Sequence, residues 1–499
     1  MSNNYIKTPT TISLSTITTN DLTLSASQLV ELVMPNKNYL YVKDFLSRQL
    51  KKTDLGEEVG SLNYIGKSTH FFLRTKALQA HSFIPEITEE TALPIIPNSF
   101  KQMNLKEGDI IISKDSNIGE IVILELDYPN YMLSGALYKL PVAKYKYYLL
   151  AFIKHPIFRE QLDFMVPKGA TIRHAKTLFL DCKIPLPNTH VDETIRFIEL
   201  LTQAIINKER LIRERHEKIL GLIENEIVNN QKTNQSIYTL PRFSDIEKTK
   251  RLDTSLYCEE FQYWNNLVKN YLHGSVDIIS RGFTWARGTS LEQGFIGTRI
   301  DSDKFIKGFY ELVLPTNISQ YGYVEKSTYI GTSTNLKTIK KGDIIFGGEG
   351  FGKGRTYVVV DDSHNVATNY HGIRIINTNN NLVESIFIRC FLAFWRSKGM
   401  IDHIGVGGSG GHCAPSYFHL IETPLFSTDK QKEIAVLYHN PNCIYNNKEF
   451  TLDTFLELDN KYNSTAGIYE LDKTAKLLKN ILNDSIDTIV QNKDVHISF

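Results

Sequence analysis

Short apolar runs separated by glycine-containing polar turns occur in two distant parts of the chain. The runs are rich in β-branched residues and show period-2 alternation, a pattern that predicts strands. The predicted strands are residues 109–113, 120–124, 343–346 and 356–360. The glycine between the members of each pair predicts a hairpin-like turn. Longer apolar stretches at 145–158 and 382–399 predict helices that flank each sheet.

A heptad pattern of apolar residues marks residues 190–229 as one long helix. Isoleucines recur every seven residues, Leu201 and Leu222 lie at the d-like positions, and charged residues between 208 and 218 surround them. The isoleucines are Ile198, Ile205, Ile212 and Ile219. This pattern is typical of a coiled-coil seam with charged flanks. A helix of this length would span ~60 Å, at about 1.5 Å per residue.

A second heptad pattern lies at residues 467–491. Its seam consists of Ile468, Leu471, Ala475, Leu478, Leu482 and Ile489, with Ser485 at a d position. Before this seam, residues 430–438 predict the start of a helix and residues 439–450 predict a loop. The two single-seam helices are natural partners for each other, because each has an apolar stripe to bury.

Ordered landmarks indicate a tandem duplication. The tetrapeptide Gly-Asp-Ile-Ile begins at Gly108 and again at Gly342, 234 residues later. Pro-Leu pairs that follow the predicted flanking helices begin at Pro185 and Pro424, 239 residues apart. The chain therefore contains two units of about 230 residues, and the polar residues 229–236 are the expected linker between them.

Composition excludes several classes of protein. The chain has 499 residues, 42% of them hydrophobic, and a formal net charge of +1, so it is globular without a global basic excess. Five cysteines with no CxxC pair argue against a disulfide framework and against a zinc ribbon. The sequence shows no apolar signal segment and no apolar run of about 18 residues, so we expect a cytoplasmic protein with no membrane partner.

Two glycine-rich segments are candidate recognition loops. Residues 348–354 (GEGFGKG) resemble the glycine-rich loop of a kinase, but the strand lysine, HRD and DFG motifs are missing. This segment replaces residues 113–119 at the same predicted hairpin, and a turn that varies between repeats favours recognition. Residues 405–412 (GVGGSGGH) precede Cys413, but no second His-Cys pair stands at zinc-ligand spacing, so we expect no metal site.

Polar residues on these loops are the candidate DNA contacts. The first-repeat counterpart of residues 405–412 is residues 167–174 (PKGATIRH). Basic and amide side chains on such loops can meet phosphates or base edges. The candidates are Lys114, Asn117, Lys168, Arg173 and His174 in the first repeat, and Lys353, Arg355, His412 and Tyr417 in the second.

The sequence contains no recognisable catalytic constellation. The nearest approach to a methyltransferase NPPY motif is residues 440–442 (NPN), and HExxH, GxSxG and FxGxG motifs are missing. We therefore expect a protein that is not an enzyme. Two alternatives stay open. One is a coiled-coil adaptor with two protein- or ligand-binding modules, and the other is an enzyme that uses residues 348–354 as a nucleotide loop.

The order of these parts resembles the specificity subunit of type I restriction–modification systems. The likeness is carried by residues 106–119, 169–172, 184–187 and 192–227, with weaker counterparts at 341–354, 423–425, 431–434 and the C-terminal helix. It covers nearly the whole chain, although no single motif in it is specific. The chain departs from the pattern at residues 423–426, which read TPLF rather than IPLP, and in the extra loop 439–450.

The resemblance implies an α+β protein with two tandem target-recognition domains, each a β-rich mixed domain with flanking helices. Two long helices would join them as an antiparallel coiled coil. The domains would be residues 1–189 and 230–427, and the spacer helix regions would be residues 190–229 and 428–499. The residues of the seam, which would also dock partners, are Ile198, Ile205, Ile212, Ile219, Ile468, Leu471, Leu478 and Leu482.

The resemblance also implies a function and a set of partners. Each domain would read one half of a bipartite site in double-stranded DNA. Methyltransferase (modification) subunits and a restriction–translocase subunit would dock on the chain. S-adenosylmethionine, ATP and Mg²⁺ would bind only in those partner subunits, so that this chain itself would hold no cofactor and no metal.

Overall fold

The computed structural model describes residues 5–19, 29–165, 176–233, 240–407 and 411–499. The chain forms two compact units. Unit 1 consists of Met1–Arg210, Tyr445–Ser464 and Lys473–Phe499, and unit 2 consists of Leu211–Ile444 and Thr465–Asp472. Each unit combines small β-sheets with flanking helices, so the expected α+β fold class is confirmed.

The strands of unit 1 form several small sheets. They are β1 (Ile6–Lys7), β2 (Glu31–Leu32), β3 (Tyr39–Tyr41), β4 (Phe71–Leu73), β5 (Ala92–Pro94), β6 (Ile110–Ser113), β7 (Ile121–Ile123), β8 (Tyr131–Leu133), β9 (Leu137–Leu140) and β10 (Lys183–Pro185). One sheet has the order β5-β4-β8, in which β4 and β8 are parallel. A second sheet has the order β7-β6-β9 and is antiparallel. The strands β3 and β10 form a separate antiparallel pair, as do β1 and β2.

The strands of unit 2 form two larger sheets and one pair. They are β11 (Ser275–Asp277), β12 (Phe283–Arg287), β13 (Arg299–Ser302), β14 (Tyr310–Leu312), β15 (Thr328–Thr332), β16 (Ile344–Gly347), β17 (Thr356–Val358), β18 (Val366–Ala367), β19 (Gly372–Asn377) and β20 (Glu422–Pro424). The sheets have the orders β13-β15-β14-β18 and β12-β19-β16-β17, and β11 pairs with β20. The hairpin strands predicted from the apolar runs are therefore confirmed in both units.

The two units share one pairing scheme. Apart from the pair β1–β2 of unit 1 and the edge strands β12 and β13 of unit 2, the described sheets of the two units have the same strand order and the same strand directions. The parallel contact recurs as β14 with β18, and the Pro-Leu landmarks lie in the matching strands β10 and β20. The predicted duplication is therefore confirmed by topology, and β12 and β13 are additions of unit 2.

The Gly-Asp-Ile-Ile landmarks form the same turn in both units. Gly108 and Gly342 have φ angles of 81° and 87°, the left-handed conformation that glycine adopts readily. The aspartate after each glycine accepts a hydrogen bond from the backbone N–H three residues earlier, at 2.8 Å and 2.7 Å. Each aspartate also pairs with a basic residue of the neighbouring strand, Lys139 in unit 1 and Arg374 in unit 2. The motif thus closes the turn that leads into β6 or β16.

The central strand β6 is buried on both faces. Ile110 and Ile112 point into the larger apolar cluster of unit 1, which also contains Phe152 of the flanking helix. Ile111 points the other way, into a second cluster with Leu133. This alternation follows from the period of two along a strand. The Ile-rich run therefore forms a strand that is covered on both sides.

One predicted helix is divided. The expected helix at 145–158 is α2 (Lys146–Lys154) followed by α3 (Pro156–Met165). His155 between them is extended, with φ −74° and ψ 145°. Pro156 explains the break, because proline disfavours a helical conformation in the residue before it and fits the first position of a new helix.

The other helices include the four that the sequence predicted at 190–229, 382–399, 430–438 and 467–491, and several that it did not predict. They are α1 (Leu14–Thr19), α4 (Val191–Asn229), α5 (Phe243–Thr249), α6 (Glu259–Lys269), α7 (Gln293–Ile296), α8 (Leu382–Ser397), α9 (Met400–Ile404), α10 (Thr428–Tyr438), α11 (Phe455–Thr465) and α12 (Ile468–Val490). The predicted long helix is α4, and the predicted C-terminal heptad helix is α12. The helix α11 was not predicted, and it lies between the predicted loop 439–450 and α12.

Within unit 1 the two heptad seams pack against each other in antiparallel orientation. One apolar cluster of this unit contains Ile198, Ile205, Leu478, Leu482 and Ile486. Just before α4, Thr189 Oγ1 donates to Asp494 near the chain end, whereas Glu209 further along α4 pairs with Lys479 at 2.6 Å. The contacts thus run in opposite directions along the two helices, as the predicted antiparallel coiled coil requires.

In unit 2 the rest of the seam is also buried. The buried residues are Ile212, Ile219, Ile468 and Leu471. The assignment of Leu222 to the seam is wrong, because Leu222 is half-buried while Ile223 and Ile227 are fully buried. The buried stripe of α4 therefore continues in steps of four residues after Ile219, which departs from the strict heptad repeat.

A lysine occupies one seam position of α4. Lys208 is fully buried, and its Nζ lies 2.6 Å from Asp459 and 2.6 Å from Asn463 of α11. The rings of Tyr445 and Tyr462 each lie with their centroids 5.1 Å from the same Nζ. The sequence pattern placed Lys208 among the charged flanks, which is wrong. Residues 445–463, which precede α12, thus supply the carboxylate, amide and aromatic groups that offset the cost of burying this charge.

Candidate nucleic-acid interface

The hairpin loops of the two units occupy equivalent places and differ in sequence. In unit 1 the loop connects β6 to β7, and Gly119 N–H donates to the carbonyl of Ser113 at 2.8 Å. In unit 2 the loop connects β16 to β17, and Gly354 N–H donates to the carbonyl of Gly347 at 2.9 Å. Both closing glycines have positive φ. The scaffold of the hairpin is therefore shared, while the residues between its ends are not.

In unit 2 the two predicted recognition loops lie side by side. The backbone N–H of Cys413 donates to the carbonyl of Gly348 at 2.8 Å, and Glu349 forms a β-bridge with His412. Val406 and His412 exchange backbone hydrogen bonds at 2.9 Å and 2.7 Å. The two glycine-rich segments, which are 50 to 60 residues apart in sequence, thus form one surface in their described parts.

Glycine is required where the hairpin loop folds back on itself. A Cβ atom on Gly347 would lie 1.8 Å from the carbonyl oxygen of Gly352, a backbone atom that has no freedom to give way. The tip of the loop is Phe351, whose side chain is 86% exposed. The glycines therefore serve a tight turn that presents an aromatic ring to solvent.

A cluster of polar and aromatic side chains surrounds these loops. Arg287 on the edge strand β12 has its guanidinium 4.6 Å from the ring centroid of Tyr370, and its Nη2 lies 3.4 Å from His412 Nε2. Glu349 pairs with His371 Nδ1 and lies 3.8 Å from His412 Nδ1. The cluster offers an arginine, two imidazoles and a carboxylate, the groups that hydrogen-bond base edges.

Two predicted contact residues of this unit support the loops from within. Lys353 Nζ pairs with Asp402 of α9 at 2.6 Å, and the Lys353 side chain is only 15% exposed. Arg355 lies at the base of the hairpin and its Nη1 donates to the carbonyl of Ile318 at 2.8 Å, so its guanidinium turns inward. The structure therefore gives both residues positions that hold the loops in place.

Tyr417 lies apart from this cluster. It belongs to a 3₁₀ segment, Pro415–Leu420, and its ring packs 4.7 Å from the guanidinium of the buried Arg251. Among the predicted contact residues of unit 2, His412 thus lies within the cluster on the loop surface.

Fewer predicted residues of unit 1 can be placed. Lys114 Nζ pairs with Asp115 at 2.8 Å in the hairpin loop, and Asn117 lies in the same loop and is half-buried. The loop therefore carries a basic, an acidic and an amide side chain. The remaining predicted contacts lie outside the described residues, and they are Lys168, Arg173 and His174.

The base of the hairpin carries opposite charges in the two units. Where unit 2 has Arg355, unit 1 has Glu120, which is buried and pairs with Arg159 and Lys154. Burial lowers the pKa of Lys154 to about 8, although Glu120 opposes this shift. The two hairpins are thus anchored by different electrostatic contacts, which adds to the difference between their loops.

Sequence reasoning missed Arg287, Tyr370 and His371. Arg287 ends a strand that has no counterpart among the described residues of unit 1, so the comparison of repeats gave no signal for it. Tyr370 and His371 precede Gly372, which pairs with Gly347 across the sheet. Two aromatic side chains directly before a glycine were the signal in the sequence that could have indicated a binding surface. Their place beside the loops depends on the order of strands in the sheet.

The described ranges contain neither a candidate metal site nor a candidate membrane-spanning helix. No group of three or more His, Cys, Asp or Glu side chains there could hold a metal ion. Among the helices of the same ranges, none combines the length and the apolar character needed to cross a bilayer. Cys413, the neighbour of His412, is fully buried, and burial raises the pKa of its thiol to about 12.

Sequence comparison matches the chain to no protein-family profile and to no curated protein. Structure comparison finds the S subunit of a type I restriction–modification system from M. genitalium, with 13% identity, a TM-score of 0.32, and coverage of 91% of this chain and 95% of that chain. It also finds the HsdS subunit from Thermoanaerobacter tengcongensis, with 10% identity, a TM-score of 0.27, and coverage of 93% and 99%.

A third match comes from a structure that addresses complex assembly and conformational transition of the type I R-M system. It has 10% identity and a TM-score of 0.27, and the match covers 92% of this chain and 99% of that chain. The three similar structures thus all belong to type I restriction–modification systems.

Proposed function

We propose that this chain is a non-catalytic DNA-recognition subunit of a type I restriction–modification complex. The observation that carries the proposal is the duplication: the same strand scheme occurs twice, and each copy carries a different loop at the same hairpin. A duplicated scaffold with unlike loops is suited to reading two unlike sequences. Residues 1–189 and 230–427 would be the two target-recognition domains, each reading one half of a bipartite site.

The chemistry of the unit 2 loops supports a role in reading DNA. Arg287 can donate two hydrogen bonds to a guanine edge, and Glu349 can accept from the amino group of cytosine. Phe351 and Tyr370, 86% and 51% exposed, offer aromatic faces next to these groups. The cluster combines both signs of charge, which favours selective contacts with base edges over a general attraction to phosphate.

The paired helices support a role as spacer and docking element. The seam residues of unit 1 share one apolar cluster and those of unit 2 are buried, so the apolar stripes are used inside the protein. The outer faces of residues 190–229 and 428–499 would then be available to methyltransferase and restriction–translocase subunits. Those partners would hold S-adenosylmethionine, ATP and Mg²⁺, and the helix length would set the gap between the half-sites, as protein geometry does for dimeric repressors.

The proposal is tested with the complex assembled with its methyltransferase subunits and two oligonucleotide libraries, each randomised in one half-site. Arg287→Ala should relax the preference in one half-site only, because a base-edge contact contributes about 1–3 kcal/mol at one position. The control is Arg299→Ala, which removes an exposed arginine that pairs with Asp301 on β13. The control should lower the affinity of all sequences alike or leave it unchanged.

Failure of the assembled complex to select any sequence would contradict the proposal. Binding that ignores DNA and survives high salt would favour the adaptor alternative, since contacts with phosphate weaken as the salt concentration rises.

A further inference from the structure

A thiol, an imidazole and a carboxylate lie close together at the start of α6. Cys258 precedes this helix at its N-cap, with Sγ 3.6 Å from His403 Nδ1 and 3.9 Å from His403 Nε2. Sγ also lies 3.2 Å from the carbonyl oxygen of Ser255, to which the thiol can donate. His403 Nε2 is in turn 3.7 Å from a carboxylate oxygen of Glu260. A nucleophile next to a base, which is oriented by a third group, is the arrangement that activates a thiol.

The other cysteines lack this environment. Cys182, Cys390 and Cys413 are fully buried. Burial raises the pKa of each of these thiols, to about 12 for Cys182 and Cys413. Cys443 is half-buried, with its Sγ 3.4 Å from the hydroxyl of Thr465, and it interacts electrostatically with the guanidinium of Arg215 but has no described contact with an imidazole. Cys258 therefore combines access to solvent with an imidazole in hydrogen-bond contact.

We propose that Cys258 is a site of reversible modification by small-molecule disulfides of the glutathione type. His403 accepts the thiol proton, and the resulting thiolate forms a bond from Sγ to one sulfur of the disulfide. The sulfur–sulfur bond of the reagent breaks, and its electron pair leaves with the other sulfur, which takes the proton back from His403. The disulfide is the oxidant, so one mixed disulfide and one small thiol are the products.

The charges at the start of α6 act on Cys258 in opposite directions, which leaves His403 as the main partner of its thiol. The N-terminus of α6, a helix of 11 residues, stabilises an anion at Cys258. Glu259 and Glu260 in the first turn of the helix oppose that effect. The proposed proton transfer therefore depends on the contact with His403, whose imidazole lies 6.0 Å from the ring of Phe261.

The modification would act on the recognition loop, and this part of the inference rests on the proposed function. His403 belongs to α9, which leads directly into residues 405–412. Ser255 Oγ donates to the carbonyl of His403 at 2.9 Å, and Arg251 donates to the carbonyl of Ile404 at 2.5 Å. A bulky group on Sγ would displace His403 and loosen these contacts, so residues 405–407, which follow α9, would lose their position.

The first experiment treats the full chain with a limiting amount of oxidised glutathione and locates the adduct by peptide mass spectrometry. Cys258 should react at least about ten times faster than Cys443, because of its imidazole partner. His403→Asn should slow the reaction of Cys258 about tenfold and leave Cys443 unchanged. His419→Asn is the matched control, because His419 is a nearby exposed histidine whose Nδ1 bonds to Ser416 instead.

Chemical rescue separates a proton acceptor from a structural role. With His403→Ala, added imidazole should restore part of the rate of Cys258, and a group needed only for packing would not be replaced in this way. Preferential reaction of Cys443, an unchanged rate in His403→Asn, or the absence of rescue would overturn the assignment of Cys258.

The second experiment compares DNA binding by the assembled complex before and after modification of Cys258. The modified complex should lose selectivity in the half-site that Arg287 reads, and a reductant should restore it. Unchanged selectivity would overturn the link between Cys258 and the loop. A complex that selects no sequence in either state would count against the proposed function, and the mass-spectrometric result on Cys258 would stand separately.

Discussion

Lys208 is a buried charged residue at a position where the heptad pattern of α4 calls for an apolar one. It lies seven residues after Leu201, at a position where a coiled coil places an apolar side chain. Its ammonium group is instead held by Asp459 and Asn463, and Tyr445 donates its hydroxyl to the same aspartate at 2.9 Å. A buried ion pair of this kind is weak evidence for stability. Because the pair lies in the seam, its best-supported role is to fix the register of the helices.

Removing one partner of the pair should be much more damaging than removing both. We expect Lys208→Ala to lower the free energy of unfolding by about 3–5 kcal/mol, because it leaves Asp459 buried without its counter-charge. The double variant Lys208→Met with Asp459→Leu should lose less than the single variant. Urea unfolding followed by circular dichroism measures both, and equal losses would show that the charges do not depend on each other.

His216 should make the stability of unit 2 depend on pH. Burial, together with Arg389 and Arg396, lowers the pKa of His216 to about 3. Above about pH 6.5 the imidazole is neutral in both states and adds no pH dependence. Below that pH the unfolded chain takes up a proton that the folded chain excludes, so stability falls by about 1.4 kcal/mol per pH unit, down to about pH 3.

The variant His216→Phe removes this titration and keeps a ring beside Tyr321, whose own ring centroid lies 5.3 Å away. Between pH 7.5 and pH 5.0, the wild-type chain should lose about 2 kcal/mol more than the variant does. Urea midpoints at the two pH values provide the measurement. Parallel pH profiles of the two proteins would show that His216 is protonated in the folded state.

Individual contact residues were the part that the sequence predicted least well. His412 could be singled out because it ends a glycine-rich segment. Arg287 and Tyr370 come from a strand and a turn that meet the loops only through the order β12-β19-β16-β17. Arg355 has the chemistry of a DNA contact, but the hairpin directs its side chain inward. The sequence shows which residues have suitable chemistry for a contact. It does not show which way their side chains point, because that depends on tertiary packing.

At the scale of elements, the stability lost on truncating a heptad residue of α4 should depend on how deeply that residue is buried. Ile205 is fully buried in the cluster of unit 1, whereas Leu222, at a position that the heptad pattern also favoured, is half-buried. We expect Ile205→Ala to cost about 2–4 kcal/mol and Leu222→Ala less than about 1 kcal/mol. Thermal unfolding of the two variants tests the assignment, and similar losses would mean that the strict heptad describes the seam better than the observed stripe does.

Elements with a strong period or a repeated landmark were predictable, and the others were not. The strands β6, β7, β16 and β17 carry apolar runs next to a repeated Gly-Asp turn, and α4 and α12 carry heptads. The helix α11 has few apolar residues, and its buried side chains include Asp459 and Asn463. The sequence therefore shows no apolar stripe from which this helix could be predicted. Its position depends on the lysine that it neutralises.

At the scale of the whole molecule, the near-zero net charge is compatible with the proposed division of labour between this chain and its partner subunits. A protein that bound DNA through phosphate contacts alone would need a basic surface. A chain with a formal net charge of +1 can instead contribute selectivity, if partner subunits supply most of the phosphate contacts. Each unit then needs only a few groups at base edges, and these belong on the loops that differ between the copies.

Exchange of hairpin loops between the units should therefore transfer part of the selectivity. Replacing residues 348–354 with residues 114–119 shortens the loop by one residue and keeps a closing glycine with positive φ. The grafted loop should fold, because both hairpins close through the same backbone hydrogen bond. The assembled complex should then lose its preference in one half-site and keep its preference in the other.

The reciprocal graft, with residues 347–354 in place of residues 113–119, is the matched control, and it carries Gly347 along because a Cβ at that position would meet the carbonyl oxygen of Gly352. Because each unit carries its own copy of the sheet, this graft should alter the half-site that the first graft leaves intact. Binding to the two half-randomised libraries distinguishes the possible outcomes. Two grafts that alter the same half-site would contradict one reading unit per repeat. Two grafts that lower all affinities equally would mean that the hairpins position the complex on DNA while other residues read the bases.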